Sequence, residues 1–541
     1  MTHRILLSIA LLLPMILEAK TLNIAMKQHM QSFYPIQQSP GDSNFIRNLV
    51  VPPIIAINQN QQWTCIICSH LPKLSNQGVE VFEEPDENGF IMVSHWQISR
   101  RYQWDDGKPL SGFDVKFTIE HMKKQGHHFP ELKITINHKN PRKFSMWMKE
   151  ARPDFYQTLA ISLLPHQKAQ LLKAISRNPK QANQQISLSQ GLSYGPYRLE
   201  QDSKTMTLRE NRYYQGLKND FKSIHITFVN SAKDLFRALK SGAIDMVADG
   251  ELDYDDIKPL LSDNKIKSQW KLAHSLSPTT DILYFNLRNP YLADQQVRNA
   301  IFHSIDRESL LSDIFDNYGS VAPIPPFLGS AYPSRASDYQ LLKARRILSS
   351  SGWQLIDGER IKNGARLKLD LVYHRTTLKH KIASRIRSNL AASGIIVQLR
   401  PMKSVEAVLE QVRKGLYKDM ALLSLKVFPD MPLKSLFHSE YIPNSENDYY
   451  GWNLGFWNNK RTDRVLDEIS QAFDEGERRK LMQRFSQIYQ EDLPAVPLLI
   501  RPHFGILNTN LVNVHFPGHG YHSSLFSSGW STLEDDDKGI F

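Results

Sequence analysis

Hydrophobic and polar positions along the chain alternate, or recur at helical spacing, in short bounded segments. Near the N-terminal side, alternation predicts a strand at residues 21–26 and further strands within residues 89–104. Helical spacing predicts helices at residues 113–124 and 165–176, and residues 45–57 are mainly apolar, as in a helix or strand that enters a first lobe. This part of the chain therefore mixes both kinds of element.

The middle of the chain carries turn residues between further short elements. A polar, Gln- and Ser-rich run at residues 181–190 is typical of a connector, and no internal repeat of fixed period is evident. The elements predicted after it are a strand pair at 197–199 and 206–209, a strand at 224–228, a helix at 234–241 that ends at Gly242, a strand at 243–246, a strand at 283–287 and a helix that presents Val297, Ile301 and Ile305 on one face.

The later part of the chain repeats strand, helix and strand. Residues 367–373 predict a strand, residues 380–393 a helix that ends at Gly394, and residues 395–399 the next strand. This alternation favours a mixed α/β architecture. The last elements predicted are two helices and an apolar strand, at residues 461–474, 477–490 and 496–500.

The N-terminus has the pattern of an export signal. A basic start with Arg4 precedes an apolar run at residues 5–17 and the small residue Ala19, so we predict a cleavable signal peptide over residues 1–19. The apolar run is too short for a permanent membrane span, and no Cys follows it to carry a lipid anchor. An N-terminal core helix or membrane anchor is the alternative. The predicted location is the periplasm, in soluble form.

Composition and charge indicate a globular protein and argue against a nucleic-acid-binding one. The chain of 541 residues is 41% hydrophobic and 22% charged, which is typical of a globular protein with ample core. Its net charge of +11 comes from scattered Lys and Arg rather than a basic run, which argues against nucleic acid as a partner.

The two cysteines, Cys65 and Cys68, form a C-x-x-C pair in an apolar, strand-like stretch. Such a pair suggests a redox motif or half of a zinc site. The chain has no second Cys pair for zinc, and the stretch does not open a helix as a redox motif does. In an oxidising compartment, a local structural disulfide or two buried thiols are favoured.

The segment from Trp104 to Val115 predicts a strand, a tight turn at Asp105–Gly107 and a helix capped by Ser111, with Asp114 three residues on. It resembles the W-x-DG-x-P-x-x-x-x-DV segment of family 5 extracytoplasmic solute-binding proteins, the receptors of peptide ABC importers. Further segments match this family's motifs in the same order between about residues 21 and 505: Gly195–Leu199 with Asn211–Tyr214, Leu239–Asp245, Tyr284–Asn286 and Gln296–Arg307.

The resemblance implies an α/β, two-lobed periplasmic binding protein-like fold, with mixed sheets, flanking helices and an extra subdomain on the first lobe. The chain would cross between the lobes twice, and ligand binding would close them by a hinge motion. The units implied are a signal peptide at 1–19, a discontinuous lobe I at 20–55, 187–273 and 493–520, an extra subdomain at 56–186, lobe II at 274–492 and a loosely ordered C-terminal tail at 521–541.

In peptide-binding members of the family, a W-x-x-D-x-x-D-P motif supplies the carboxylate that pairs with the peptide's ammonium group. The matching stretch here begins at Ser424, and Val427 stands where that Asp is expected. Only Asp430 remains, at the position of the second Asp, where it either contacts ligand or caps its loop. An unpaired buried ammonium is costly, so this departure weighs against capture of a free peptide N-terminus.

Other ligand-binding candidates follow from the resemblance. Arg375, beside Tyr373, lies where dipeptide receptors recognise ligand and could bind a carboxylate through two hydrogen bonds, unless it is an ordinary surface residue. The aromatic loop at residues 449–457 supplies Trp452 and Asn453 as lining candidates. The remaining candidates are Phe428, Tyr197 and Tyr34.

The leading functional hypothesis is the substrate-binding component of an ABC importer, a monomer that delivers a small peptide-like ligand to permease subunits in the inner membrane. The alternative is a receptor for a non-peptide or N-terminally blocked ligand, such as a cell-wall peptide, a metal chelate or a conjugate. An exported redox enzyme using Cys65 and Cys68, and a sensory module, are the other hypotheses considered. No catalytic motif is present, and we predict no enzyme activity and no cofactor; we interpret the histidines, including His515, His519 and His522, as surface residues rather than metal ligands.

Overall fold

A computed structural model describes most of the chain. The described residues are 20–27, 44–58, 60, 62–177, 192–201, 206–217, 219–260, 263–326, 339–428, 430–516, 523–527 and 529–533. The predicted signal peptide at 1–19, the connector at 181–190, Tyr34, His519 and His522 lie outside these residues.

Strands are distributed along the whole described chain. They are β1 (Thr21–Met26), β2 (Ile55–Ile57), β3 (Trp63–Cys65), β4 (Val79–Val81), β5 (Met92–Gln97), β6 (Leu132–Ile136), β7 (Lys143–Met148), β8 (Tyr197–Gln201), β9 (Met206–Glu210), β10 (Ser223–Phe228), β11 (Met246–Leu252), β12 (Trp270–Phe285), β13 (Ser320–Val321), β14 (Gln354–Ile356), β15 (Glu359–Lys362), β16 (Ala365–Arg366), β17 (Lys368–His374), β18 (Ile396–Met402), β19 (Met420–Lys426), β20 (Ala495–Asn508), β21 (Leu511–Val512) and β22 (Ser531–Thr532).

Helices alternate with these strands. They are α1 (Asn44–Val50), α2 (Gly112–Lys124), α3 (Ala169–Arg177), α4 (Ala232–Ser241), α5 (Tyr254–Ile257), α6 (Asn264–Gln269), α7 (Pro290–Ala293), α8 (Gln295–Ser304), α9 (Arg307–Phe315), α10 (Leu341–Ser350), α11 (Thr377–Ala392), α12 (Val405–Arg413), α13 (Leu433–Phe437), α14 (Lys460–Gln471) and α15 (Glu475–Asp492). No helix among the described residues is both long and apolar enough to cross a membrane.

Local capping explains why several helices begin where the sequence predicts. Ser111 and Asp114 form a capping box at the start of α2, in which the Ser111 backbone N–H donates to Asp114 Oδ2 at 2.8 Å. Gly242 ends α4 in the left-handed conformation, at φ +67°. The strand predicted at residues 243–246 is wrong: Asp245 accepts a hydrogen bond from the Asn23 N–H at 2.7 Å, and the strand starts only at Met246.

One large mixed sheet runs through the molecule, with strand order β18-β17-β19-β12-β20-β11-β1-β10-β9-β8 and β13 paired to β20. The two longest strands, β12 and β20, lie side by side in its middle and pair antiparallel. On one side β1 lies parallel to β10 and β11, and on the other β17 lies parallel to β18 and β19. The long pair therefore joins two α/β halves.

The pairing of β12 with β20 is interrupted in the middle. Leu276 pairs with Pro502 and Thr280 pairs with Ile500, with a register shift between them. Two prolines, Pro278 and Pro502, lie at this interruption and cannot donate backbone hydrogen bonds. The long pair thus has a weakened point between the two halves.

A separate four-stranded sheet, β4-β5-β7-β6, forms an additional unit against which α2 packs. Its apolar side chains join those of β1 and β8 in one core, which includes Leu22, Trp96 and Val115. A second core fills the other half around β12, β17 and α11.

Of the predicted C-terminal tail, the structure describes residues 523–527 and 529–533; the acidic run Glu534–Asp537 lies outside the described residues. Trp530 is fully buried and stacks on Phe45 with ring centroids 6.3 Å apart, and β22 pairs with β21. Burial of so large an aromatic side chain holds this segment against the first core. The residues next to Trp530 in the sequence are mostly Ser, Thr and Gly, so the sequence pattern alone does not predict this packing.

Candidate functional site

The carboxyl ends of three parallel strands meet at the interruption of the long strand pair. Tyr373 of β17 pairs with Leu422 of β19, so Arg375 and Ser424, each two residues further on, follow at the same level. Ser424 in turn pairs with Asp281 of β12. In open α/β sheets, ligands bind outside the carboxyl ends of the strands, so this edge is the candidate site.

A buried ion cluster lies at this edge. The carboxylate of Asp281 is fully buried and accepts hydrogen bonds from Lys379 Nζ at 2.7 Å, from Ser424 Oγ at 2.8 Å and from Arg501 Nε and Nη2 at 3.0 and 2.8 Å. Lys379 belongs to the first turn of α11, and Arg501 follows directly after the last regular pair of β20 before the interruption. The cluster ties three strands and one helix together at one point.

The charges in this cluster stabilise one another. Burial alone would raise the pKa of Asp281, but the charges of Lys379 and Arg501 and their hydrogen bonds hold it well below its usual value. Burial lowers the pKa of Lys379 to about 8 even though Asp281 opposes this, so its ammonium is still protonated at neutral pH. Burial also works against the charge of Arg501, but Asp281 outweighs it and raises the pKa of Arg501. At neutral pH the three side chains carry two positive charges and one negative charge.

The cluster opens toward solvent on one side. Ser424 is exposed, and the Arg501 side chain is 26% exposed although two of its nitrogens are engaged. A solute at the edge would therefore meet Arg501 and the Ser424 hydroxyl first.

Val427 and Asp430 lie in the loop after β19. The Val427 backbone N–H donates to the Pro278 carbonyl at 2.8 Å, which attaches the loop to the interrupted point of β12. Asp430 has a left-handed backbone, at φ +55°, and its carboxylate accepts a hydrogen bond from the Tyr156 hydroxyl at 2.8 Å and lies 3.4 Å from Arg478 Nη2. Its carboxylate is thus already paired with protein groups.

Asp430 also links two distant parts of the molecule. The Gln157 side chain donates to the Asp430 carbonyl at 2.6 Å, and Tyr156 lies in the same short helical turn, Phe155–Leu159. This turn belongs to the core of the additional unit, whereas Arg478 belongs to α15 in the other half. We call this set of four residues, Tyr156, Gln157, Asp430 and Arg478, the latch.

Arg375 remains a ligand-binding prediction. Its backbone N–H donates to the Met402 carbonyl at 2.9 Å, which places it at the candidate edge, and its side chain is exposed. Phe428 is half-buried in the loop after β19 and also stays a prediction.

Three other residues predicted to bind ligand are buried, and their side-chain polar groups bond other groups of the protein. Tyr373 is fully buried with its hydroxyl 2.6 Å from His380 Nδ1, and Tyr197 is buried with its hydroxyl donating to the Phe221 carbonyl at 2.9 Å. Asn453 is buried, and its side chain bonds backbone groups of Phe437, His438 and Trp457. Because their polar groups are engaged inside the core, we do not carry these three residues into the proposed site.

The aromatic loop is only partly exposed. Phe456 and Trp457 are buried in the second core, whereas Trp452 is 37% exposed and lies under the Arg413 guanidinium at 4.4 Å from the ring centroid. Tyr450 is exposed, with its ring 6.4 Å from that of His128 in the additional unit. Trp452 therefore stays a prediction as a lining residue.

The cysteines form a disulfide, Cys65–Cys68, with a Cα–Cα distance of 5.0 Å. The disulfide lines a cavity of about 460 Å³ in the additional unit together with Trp63, Arg101 and Tyr102. Trp63 packs against Tyr156 of the latch with ring centroids 5.8 Å apart. Over the described ranges, no group of three or more His, Cys, Asp or Glu side chains is arranged to hold a metal ion.

The sequence interpretation missed Asp281, Lys379 and Arg501. Asp281 directly precedes the apolar run Ile282–Phe285, and a charged residue next to a buried stretch of strand is a signal for a partnered site. Its partners lie 98 and 220 residues away along the chain, so the sequence alone does not pair them.

Comparison with known proteins identifies the class. The sequence model of bacterial extracellular solute-binding proteins, family 5, matches residues 96–440, more than half of the chain. The chain therefore belongs to this family. It is 23% identical to the oligopeptide-binding protein AppA of Bacillus subtilis over 424 residues, which are 74% of this chain and 73% of AppA.

Solved structures agree on the fold. NikZ of Campylobacter jejuni in complex with Ni(L-His) superposes with a TM-score of 0.67 at 21% identity, covering 95% of this chain and 99% of NikZ. NikA of Brucella suis in complex with Fe(III)-EDTA gives a TM-score of 0.72 at 17% identity, covering 93% of this chain and 98% of NikA. The expected α/β, two-lobed periplasmic binding protein-like fold is thereby confirmed.

Proposed function

We propose that this chain is the substrate-binding component of an ABC importer and that its solute binds between two lobes at the candidate edge. The observation that carries the proposal is the position of this edge: it lies at the interrupted pair β12–β20, where the two halves of a family 5 fold meet. The activity is capture and delivery to a permease in the inner membrane, with no chemical change to the solute. Export to the periplasm by a signal peptide at 1–19 is part of the proposal.

The lobes proposed from the sequence are consistent with this arrangement. Lobe I would comprise residues 20–55, 187–273 and 493–520, the extra subdomain residues 56–186, and lobe II residues 274–492. The ligand would be enclosed when the subdomain closes onto lobe II, and the latch connects these two units. Closure would turn about the interrupted point of the strand pair.

Two ligand classes remain in view. AppA, the relative matched by sequence, is named as an oligopeptide-binding protein, so a peptide-like solute is the leading candidate. The solved structures of NikZ and NikA hold metal chelates, which keeps a non-peptide solute as the second candidate. Val427 and the latch-bound Asp430 favour the second candidate, a solute with no free ammonium group. Neither position offers an unpaired carboxylate to a peptide N-terminus.

The first experiment is identification of what the protein carries. The mature protein would be purified from its exporting host and denatured, and the released small molecules would be identified by mass spectrometry. Mixed short peptides with free N-termini would support the peptide receptor, and one blocked or non-peptide species would support the second candidate. Absence of any bound or added solute across a thermal-shift screen of peptides and chelates would contradict the proposal.

A matched peptide pair separates the two candidates. We expect ligand-stripped protein to bind N-acetylated trialanine at least as well as free trialanine, because Val427 cannot pair with an ammonium group. Val427→Asp is expected to reverse this preference about tenfold, the effect of one charge-assisted hydrogen bond. Val81→Asp, at an exposed position of β4 in the separate four-stranded sheet, is the control and should change neither affinity.

A further inference from the structure

We infer that the solute carries an acidic group, a carboxylate in the first instance, and that Arg501 binds it beside the Ser424 hydroxyl. This inference rests on the proposed function and names the chemical class that the same site accepts. It depends on the geometry of the buried ion cluster, which has an excess of positive charge at the point where the cluster opens to solvent.

The first observation is the charge balance. Asp281 is the acidic member of the cluster, and it is shared between Lys379 and Arg501 through hydrogen bonds of 2.7 to 3.0 Å. One positive charge is therefore left without a matching negative charge within the cluster. A buried or half-buried excess charge is costly unless a counter-charge arrives, so an anion at this point lowers the free energy of the closed form.

The second observation is the way Arg501 is held. Its Nε and Nη2 both donate to Asp281, and Nη2 also donates to Ser424 Oγ at 2.9 Å, which fixes the plane of the guanidinium. Among the described residues, Nη1 has no hydrogen-bond partner recorded and is not buried. A guanidinium whose orientation is already fixed loses little entropy when it binds a planar carboxylate.

The third observation is the charge of the neighbouring groups. Arg375 directly follows β17 and Lys426 ends the adjacent parallel strand β19; both are exposed, so they add positive charge to the same edge. Asp253, at the start of α5, is the acidic group from the first half whose charge acts on Arg501. Its carboxylate caps its own helix in a capping box with Asp256, so it does not occupy Arg501.

The last observation is the pairing of Asp430 within the latch. A cationic solute would need a carboxylate that is free to receive it, but Asp281 is paired with Lys379 and Arg501, and Asp430, in the loop after β19, is paired with Arg478. At this point Arg501 offers a guanidinium, whereas the Ser424 hydroxyl already donates its hydrogen to Asp281. The edge thus selects for negative rather than positive charge on the solute.

The test uses full-length mature protein freed of bound solute by unfolding and refolding. The probes are N-acetylated alanine peptides of two to five residues, each as the free acid and as the C-terminal amide, so that each pair differs by one negative charge. Affinities would be measured by calorimetry for the wild type, Arg501→Gln and Arg501→Lys. Arg484→Gln, which changes an exposed arginine paired to Glu468 at 3.6 Å, is the matched control.

We expect the wild type and the Arg484→Gln control to bind at least one acid roughly tenfold more tightly than its amide. Arg501→Gln should bind both equally, and Arg501→Lys should keep part of the preference because it retains the charge without the fixed fork. Melting temperatures of all variants would show that the loss is not a loss of folding. Arg501→Lys keeps a cation beside Asp281, so it stays informative if Arg501→Gln does not fold.

Equal binding of acid and amide by the wild type, an unchanged preference in Arg501→Gln, or no binding of either series would each overturn the acidic-group inference. The proposed function has a separate test, which is whether protein purified from its host releases a bound solute or is stabilised by an added one. Release of a neutral or cationic solute would leave the receptor assignment in place and remove the role of Arg501.

Discussion

At the scale of single residues, Asp281 is the side chain on which the candidate edge depends. Its removal leaves two cationic side chains buried or half-buried with no counter-charge. We expect Asp281→Asn to lower the free energy of unfolding by about 3 to 5 kcal/mol, the usual cost of breaking a buried ion pair from one side. Urea unfolding at neutral pH measures this change.

The control is Asp255→Asn. Asp255 is 63% exposed and lies 3.5 Å from Lys381, so its loss should cost well under about 1 kcal/mol. An equal cost for both substitutions would show that the Asp281 cluster contributes no more than a surface ion pair.

The same carboxylate gives a pH dependence with a defined sign. The pKa of Asp281 is lower in the folded protein than in the unfolded chain, where it is about 4. Between these two values the unfolded state binds the proton first, so the stabilising contribution of Asp281 is present above about pH 4 and is lost as the pH falls. The slope of unfolding free energy against pH below about pH 4 should be smaller in Asp281→Asn than in the wild type.

The sequence predicts only those residues of the site that belong to a contiguous motif. Arg375 and the departure at Val427 are visible because they lie within, or next to, a contiguous motif. The sequence does not reveal the ion cluster, because its three members come from different elements and only the fold brings Lys379 and Arg501 within hydrogen-bond distance of Asp281, at 2.7 and 3.0 Å. Tyr197, Tyr373 and Asn453 have side chains typical of binding sites, but core packing uses their polar groups instead.

At the scale of elements, the short helical turn Phe155–Leu159 and the loop after β19 form the latch. Tyr156→Phe removes the hydrogen bond to Asp430 while keeping the packing against Trp63. A hydrogen bond to a charged acceptor contributes about 1.5 to 3 kcal/mol, so the closed form should be disfavoured and solute affinity should fall about tenfold or more. Calorimetry with the solute that mass spectrometry identifies measures this.

Asp430→Asn is the companion variant for the latch. Asn tolerates the left-handed backbone at φ +55°, so this substitution tests the charge of Asp430 without straining the loop. Tyr339→Phe, at a 41% exposed tyrosine, is the control for loss of a hydroxyl. Affinity that is unchanged in both latch variants would mean that the latch does not contribute to closure.

The disulfide is a second element-scale constraint, because it closes a short loop beside β3 in the additional unit. By loop-closure entropy, a loop of this length contributes about 2 kcal/mol to the free energy of unfolding. The chain has two cysteines, so a thiol reductant acts only at this bond. We expect dithiothreitol to lower the melting temperature of the wild type and to leave Cys65→Ser unchanged; equal melting temperatures of the oxidised and reduced wild type would contradict this.

At the scale of the whole molecule, the predicted elements and the observed ones differ most in the long strands. Elements with local signals, such as α2 with its capping box or β17, α11 and β18 with their alternation, begin and end within a few residues of the prediction. The predicted strands at 283–287 and 496–500 are instead parts of β12 and β20, which span 16 and 14 residues. Serines, threonines and prolines break the pattern there, and only pairing on both sides keeps these segments extended.

The interruption in the pairing of β12 with β20 leads to a prediction for the motion of the whole protein. If the lobes turn about it, the backbone amides that change their hydrogen exchange on solute binding should lie at residues 276–280 and 500–503 and at the latch. The regular ladders on either side, Ala273 with Gly505 and Leu283 with Val496, move as rigid parts and should keep their protection in both states. Hydrogen–deuterium exchange with mass spectrometry, on protein with and without its solute, would measure this. A change in exchange spread evenly along β12 and β20 would mean that the two strands bend along their whole length. The closing motion would then have no hinge at the interruption beside Asp281 and Arg501.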